Sequence, residues 1–340
     1  MQLQPVVAGH LSQYDPGAQP ALSITMTDPL QRQVLAAIDL GSNSFHMVVA
    51  SYDDGQLQVV DRSREMVRLA AGLSQTGKIS RTVANRALDC IRRFGQHLRE
   101  EHAVTVRAVG TNALRKAKNA SDFLIAAEKA LGYPIEVISG QEEARLVYLG
   151  AAHSLPDVAG QRLVVDIGGG STELIVGSDL HTRELDSLGI GCVGLTEEYF
   201  PGGKISEKRW RRARQAADEQ LDTVRSSLRE KGWDEVIGTS GTIRSARRVL
   251  LKLGWTDCDI HLSALNKLSR KMITLGHVEK LDLNGLSQER APVFPGGLVI
   301  LQSVLDELEI DRMQVSRGAL REGLMYDMLD IPAPLTQITQ

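Results

Sequence analysis

At 340 residues the chain exceeds one ordinary core and is read as two domains of about 150 residues each. Its 42% hydrophobic and 24% charged residues match a soluble globular protein, and no apolar run approaches the roughly 20 residues of a membrane helix. A net charge of −3 excludes a surface that grips nucleic acid as a whole, so a polyanion would have to be met by local features.

Residues 1–33 hold Gln, Ser, Pro and Thr without a sustained period and are expected to be a flexible tail. Order begins at Val34–Ile38, a short apolar strand, followed by strands at Phe45–Ala50 and Gln56–Arg62, which predicts a hairpin-built sheet. Ser80 to Glu101 reads as an amphipathic helix with Ser80 as N-cap and Val83, Ala87, Ile91, Phe94 and Leu98 on one face. A strand at Thr105–Val109, a helix at Asp122–Leu131, a strand at Ile135–Ile138 and a helix at Gln141–Ala152 close the first half. The second half restarts at the strand Arg162–Val165, and a single helix is expected from Ser206 to Arg229.

The chain repeats itself at half its length. Ile38-Asp39-Leu40-Gly41-Ser42-Asn43-Ser44 aligns with Val165-Asp166-Ile167-Gly168-Gly169-Gly170-Ser171, each copy running strand, acid, Gly-rich turn, Ser and second strand. Such a duplication predicts two related lobes facing each other, divided as 34–146 and 147–330, with a tail at 331–340.

Glycine has no Cβ, so successive backbone N–H groups can turn inward and form a nest for an anion. Gly168, Gly169 and Gly170 offer this, with Ser171 and Thr172 as added donors, and Gly41, Ser42, Asn43 and Ser44 mirror them beside Asp39. Neither turn is a P-loop, since no Gly-Lys-Ser/Thr follows. Alone, either would be a plain tight turn; the pair, each led by an acid, points to phosphate. Asp166 and Glu173 sit at facing positions of the second hairpin, where two carboxylates can hold Mg²⁺ or Mn²⁺. A third anion turn is expected at Gly238, Thr239, Ser240, Gly241 and Thr242, leading into a helix that carries Arg244, Arg247 and Arg248. Glu142 and Glu143 fall in the first turn of a helix, where dipole stabilisation competes with a catalytic reading. Arg115 leaves a strand through Gly110 and could reach a bound anion or simply face solvent.

These motifs, in this order from about Val34 to Leu329, resemble the exopolyphosphatase / guanosine pentaphosphate phosphatase family, within the superfamily of actin, sugar kinases and heat-shock ATPases. The resemblance rests on residues 37–44, 110–115, 139–145, 166–173, 238–242 and 318–323. It implies an α/β fold of two ribonuclease-H-like lobes with an active-site cleft between them. It further implies Glu143 as the base that activates water, Asp166 and Glu173 as metal-linked carboxylates, and Arg115 as a phosphate contact. The expected reaction is release of terminal orthophosphate from inorganic polyphosphate. Guanosine pentaphosphate is the alternative substrate, and a non-hydrolytic polyphosphate or nucleotide sensor is a more distant one. A kinase of the same superfamily would need an adenine pocket and an acceptor that no motif demands.

The resemblance implies that larger members carry a helical C-terminal extension, and with the sequence stopping at Gln340 such an extension is not expected here. Short chains and a distributive, salt-sensitive pattern are therefore expected. Among partners, neither nucleic acid nor membrane is expected, and a homodimer is left open. The basic run Lys208–Arg214 is read as a solvated helix face, with polyanion guidance as a secondary reading. Seven of the eight histidines, among them His46, His102 and His277, are weighed as ligands and form no HxH or HExxH pair, so none is assigned to a metal. His46 occupies the counterpart of Glu173 and is given a pore-lining or buried structural role. Cys90, Cys192 and Cys258 form no CxxC pair and read as reduced thiols, Cys192 as packed. With no signal-peptide pattern at the start, a cytoplasmic location is expected.

Overall fold

The computed structural model describes residues 33–329 except 55, 74–76, 102–104 and 157–159. The expected tails, 1–33 apart from Gln33 and 331–340, lie outside the described residues, as does His102. The first half runs β1 (Gln33–Leu40), β2 (Phe45–Asp53), β3 (Gln56–Glu65), α1 (Arg81–Glu100), β4 (Thr105–Gly110), α2 (Asn112–Lys116), α3 (Ala120–Leu131), β5 (Ile135–Val137) and α4 (Gly140–Ala152). The second opens with β6 (Arg162–Ile167), β7 (Thr172–Ser178), β8 (His181–Leu188), α5 (Cys192–Tyr199), α6 (Glu207–Leu221) and α7 (Arg225–Lys231). It continues with β9 (Glu235–Thr239), α8 (Ser240–Lys252), β10 (Ile260–His261), α9 (Leu262–Leu275), α10 (Phe294–Glu307), β11 (Arg312–Val315) and α11 (Leu320–Met328).

The duplication seen in sequence extends to topology. The first sheet is ordered β3-β2-β1-β4-β5 and the second β8-β7-β6-β9-β11, with β10 added at its edge. In both, the first three strands form an antiparallel meander and the last two run parallel to the first. This is a two-lobed α/β protein in which each lobe carries the same five-stranded, ribonuclease-H-like sheet. Strand period explains how each sheet serves two cores, because alternate side chains point to opposite faces. Ala36, Ile38, Leu40, Phe45, Met47 and Val49 pack on the apolar face of α1, while Ala37, Val48 and Ala50 point the other way. There they join Val164, Ile175 and Ile237 of the second sheet in a core that also contains α4 and α11.

Those two helices link the lobes. Helix α4 packs on β7 and β8 of the second sheet, whereas α11, from the end of the chain, packs on β1 of the first. The boundary expected at 146/147 falls inside α4, which runs on without a break. The helices meet backbone to backbone: a Cβ on Gly323 would lie 1.9 Å from the Leu146 carbonyl oxygen, and one on Gly150 2.1 Å from that of Ala319. Both glycines of the 318–323 motif thus serve close approach, since Gly318 presses equally on Gly150.

One expected element is corrected. The helix from Ser206 to Arg229 is broken between Leu221 and Arg225 into α6 and α7. Asp222, Thr223 and Val224 fill the break, and all three have weak helix propensity. Ser80 stands at the N-cap of α1 as expected, although its side chain makes no capping bond.

Because no relaxation of a flexible side chain can relieve a clash with backbone, Gly323→Ala should force α4 and α11 apart. The expected result is a thermal midpoint lower by roughly 2 °C or more, read by calorimetry, at a cost of about 1–3 kcal/mol. An exposed control such as Gly254→Ala is unsuitable because its φ is +65°; Gly194→Ala, with open space around it, should be near neutral.

Candidate active site

The duplicated hairpins end at one place. Asp39 pairs across β1–β2 with His46, and Asp166 across β6–β7 with Glu173, so each acid and its partner stand on one face of their sheet. The two Gly-rich turns press together: a Cβ on Gly170 would lie 2.8 Å from Ser42 Oγ and 2.7 Å from Asn112 Oδ1. Gly191 holds the turn from behind, where a Cβ would lie 2.5 Å from the Gly170 nitrogen.

Backbone bonding orients the turn amides. Ala70 and Arg68 donate to the carbonyls of Ser42 and Asn43, while Cys192 and Val193 donate to those of Gly168 and Gly169. A trans peptide places its N–H opposite its C=O. The N–H groups of Asn43, Ser44, Gly169 and Gly170 therefore point away from those donors, and all four residues line a cavity of about 440 Å³.

Two sets of charge line the cavity: the carboxyls of Asp39, Glu143, Asp166 and Glu173, and the guanidiniums of Arg64, Arg244, Arg248, Arg290 and Arg321. Burial raises all four carboxyl pKa values, with Asp39 and Glu143 pushed up to about 7. For Asp39 the Asp166 charge adds to burial, and for Glu173 those of Glu143 and Asp166 do. Arg64 and Arg244 are lowered by burial first and by neighbouring guanidiniums next, so the wall is short of negative charge. Among the described residues, one oxygen each of Asp39 and Asp166 (Oδ1 in both) is buried without a hydrogen-bond partner.

Those orphaned oxygens fit a hard divalent cation. Mg²⁺ commonly takes one or two carboxylates and fills its remaining positions with phosphate oxygens and water. No group of three or more His, Cys, Asp or Glu is arranged to hold a metal among the described residues, so an all-protein cage is not the geometry here. Asp166 also accepts a 2.7 Å bond from Ser240 Oγ. Ser240 sits at the β9–α8 turn with φ of +66°, a left-handed conformation that is costly for a non-glycine residue and characteristic of functional turns.

The expected site residues separate into two groups. Asp39, Gly41–Ser44, Asp166, Gly168–Ser171, Glu173, Glu143, Ser240 and Gly241 line the cavity. Glu142 does not; it is bound by Arg145 Nη2 at 2.8 Å and Nε at 2.9 Å, outside the cavity. Arg115, expected against an anion, stands behind Glu143 instead, donating through Nη1 to Glu143 Oε2 at 2.8 Å and to the Ile138 carbonyl at 2.9 Å. The hydroxyls expected at Thr172 and Thr239 are spent internally on the carbonyls of Ile190 and Gly318. Gly238 is packed under Ile243 and Met313, and Thr242 against Gly297.

Sequence reasoning missed Arg64, Arg290 and Arg321 as cavity residues. Arg321 lies within the 318–323 motif, so a signal was present; Arg64 and Arg290 lie outside every motif. His46 is half-buried and lines the cavity, where a pore-lining or buried structural role was expected. Its Nδ1 lies 2.5 Å from Arg321 Nη1, and since a guanidinium only donates, the ring proton is on Nε2, which donates to Ser44 Oγ at 2.8 Å. Burial and Arg321 both depress its pKa, which keeps it neutral. None of the Lys208–Arg214 run lines the cavity; Arg209 and Arg214 bind neighbours on the surface of the second lobe.

Comparison with known proteins adds independent findings. A family model described as the Ppx/GppA phosphatase family matches residues 48–331. A guanosine-5'-triphosphate,3'-diphosphate pyrophosphatase of Vibrio cholerae serotype O1 is 41% identical over 304 residues, 89% of this chain and 61% of that protein. The chain thus spans less than two thirds of the length of the curated relatives it matches. Among solved structures, the Aquifex aeolicus PPX-GPPA enzyme is similar at a TM-score of 0.72 and 29% identity, over 87% of this chain and 100% of that one. An exopolyphosphatase from Cytophaga hutchinsonii reaches a TM-score of 0.80 at 25% identity, over 88% and 98%.

The crowded carboxyls carry a stability consequence. Asp39 and Glu143 titrate higher in the folded chain than in the unfolded one, so protonation favours folding. That contribution is full below about pH 4 and is lost as pH rises through about 7. In metal-free buffer, Asp39→Asn should raise the thermal midpoint at pH 7.5 by roughly 2 °C or more and flatten its fall with pH. An unchanged midpoint and slope would show that the cluster carries no electrostatic strain.

Proposed function

Since the chain belongs to the Ppx/GppA phosphatase family, we propose that it is a phosphohydrolase removing the terminal phosphate of guanosine 5'-triphosphate 3'-diphosphate. The observation that carries this reading is one cavity lined by four buried carboxyls, five arginines and two Gly-rich turns. The similarity, at 41% identity, to the guanosine-5'-triphosphate,3'-diphosphate pyrophosphatase of Vibrio cholerae supports the choice of nucleotide.

Phosphoryl transfer is mostly a matter of positioning and charge neutralisation, because a phosphate chain repels an attacking hydroxide. In this reading the turn amides of Asn43, Ser44, Gly169 and Gly170 hold the terminal phosphate, and Arg321 and Arg244 spread its charge. Glu143 orients a water and takes its proton as the water oxygen bonds to phosphorus. The bond from phosphorus to the bridging oxygen breaks, and that oxygen leaves with the electron pair. A pKa near 7 suits a carboxylate for this duty, and Arg115 fixes its direction from behind. Asp166 and Glu173, with Asp39 nearby, would hold Mg²⁺ or Mn²⁺, which would supply charge neutralisation to the phosphate oxygens.

Inorganic polyphosphate is the second reading. It is favoured by an arginine wall that recognises phosphate as such, and by the similarity to the Cytophaga hutchinsonii exopolyphosphatase. A phosphate-release assay offering both substrates decides between them by kcat/KM, with the larger value expected on the nucleotide.

Glu143→Gln should lower kcat by about two orders of magnitude or more while substrate binding survives. Glu142→Gln, outside the cavity, should stay within a few-fold of the parent. Reversal of that order would move the base by one residue. Excess EDTA should abolish phosphate release and added Mg²⁺ restore it; full activity in EDTA would remove the cation from the mechanism.

A further inference from the structure

Among the described residues, five that are not glycine have a left-handed backbone: Asp54, Arg68, Asp179, Ser240 and Glu309. Four of them are exposed, whereas Ser240 is half-buried and lines the cavity. The conformation is costly for any residue with a Cβ, and glycine takes it freely. Gly238 and Gly241 stand within two residues, yet the left-handed position falls to the serine.

Two contacts show what that serine supplies. Strand β9 runs parallel to β6 with Thr239 level with Asp166. Thr239 is fully buried, and its hydroxyl donates to the Gly318 carbonyl at 2.6 Å. One residue further, Ser240 turns its hydroxyl back on the acid and donates to Asp166 Oδ2 at 2.7 Å. With Oδ2 held, the plane of the carboxyl is fixed, and so is the direction of Oδ1, which is buried without a hydrogen-bond partner. The Ser240 carbonyl makes the second contact, accepting from Arg244 Nε at 3.1 Å. One residue thus holds an acid with its side chain and a guanidinium with its backbone, and both line the cavity.

We propose that Ser240 is a positioning residue: its hydroxyl aims Asp166 Oδ1 at a divalent cation, while its carbonyl holds Arg244 for the phosphate. This deepens the cation-assisted reading above and rests on it. The left-handed backbone follows from the two duties together. Glycine would relax the turn and keep the carbonyl, but it has no hydroxyl to place on Asp166. Ser240 therefore couples the spacing of the two sets of charge, although it carries no charge itself.

The test compares Ser240→Ala and Ser240→Gly in the full chain. Both lose the hydroxyl and keep the carbonyl, but only glycine relieves the backbone. Mn²⁺ binding is read from the loss of the free ion's paramagnetic resonance signal, and inorganic phosphate binding by calorimetry in metal-free buffer. Both variants should bind Mn²⁺ at least about tenfold more weakly, the loss expected for one hydrogen bond to a charged group. Phosphate affinity should stay within about twofold in Ser240→Ala, since Arg244 keeps its carbonyl. The glycine variant should melt roughly 1 °C or more above the alanine one. A merely structural turn residue gives another pattern, in which Mn²⁺ and phosphate affinities fall together and fall further in the less stable alanine variant. That pattern, unchanged Mn²⁺ binding in either variant, or a parent chain that binds no Mn²⁺ or no phosphate would each overturn the proposal. Because binding is read apart from turnover, the two readings fail separately. A chain that shows the expected pattern but releases no phosphate from either substrate keeps the role of Ser240 and loses the hydrolytic function. A chain that releases phosphate in Mg²⁺, with Mn²⁺ binding unchanged in both variants, loses the role of Ser240 alone.

Discussion

Close backbone approach along the cleft is the constraint on which this molecule depends. Two strand turns meet at Gly169 and Gly170, and two helices meet at Gly150 and Gly323, with no room for a Cβ at either crossing. The turn contact brings carboxylates from separate sheets into one buried cluster. The helix contact sets α4, which carries Glu143, against α11, which carries Arg321. A methyl group at either place would widen the spacing on which the site's electrostatics rest, since charge interactions in a buried setting change steeply with distance.

The resulting site is unfavourable on its own terms. Four carboxyls are driven towards neutrality by burial and by one another, while the arginines around the same cavity crowd like charges. Ser240 is held in a left-handed conformation to reach Asp166. Each of these costs would fall if a cation met the acids and an anion met the arginines, which is the ligand chemistry the proposed function calls for. Preorganisation of this kind places the expense in folding instead of in the reaction.

The two sheets have diverged while keeping their topology. At matched positions Asp39 faces His46, and Asp166 faces Glu173. The first lobe uses its hairpin to position: neutral His46 links Arg321 to Ser44. The second lobe uses its hairpin to supply charge. Glu143 comes from neither hairpin but from the helix between them, oriented by Arg115.

Much of this was legible in the sequence because it is local. The duplicated hairpins follow from period-2 strands and Gly-rich turns at fixed offsets, and α1 from its apolar stripe. The resemblance to the Ppx/GppA family came from the order of short motifs. What the sequence could not decide depends on contacts between residues far apart in the chain. Arg64 and Arg290 carry no local pattern, and only folding brings them to one cavity. Arg115 lies in a motif, yet its motif does not say whether it meets phosphate or Glu143; that choice depends on how the fold brings α2 within reach of the start of α4. Glu142 and Glu143 are neighbours in one helical turn, and the sequence alone ranks them equally as helix-stabilising acids. The roughly 100° turn between successive helical residues sends one to Arg145 and the other into the cleft, and which of the two directions is the cleft is decided by the sheet against which α4 packs.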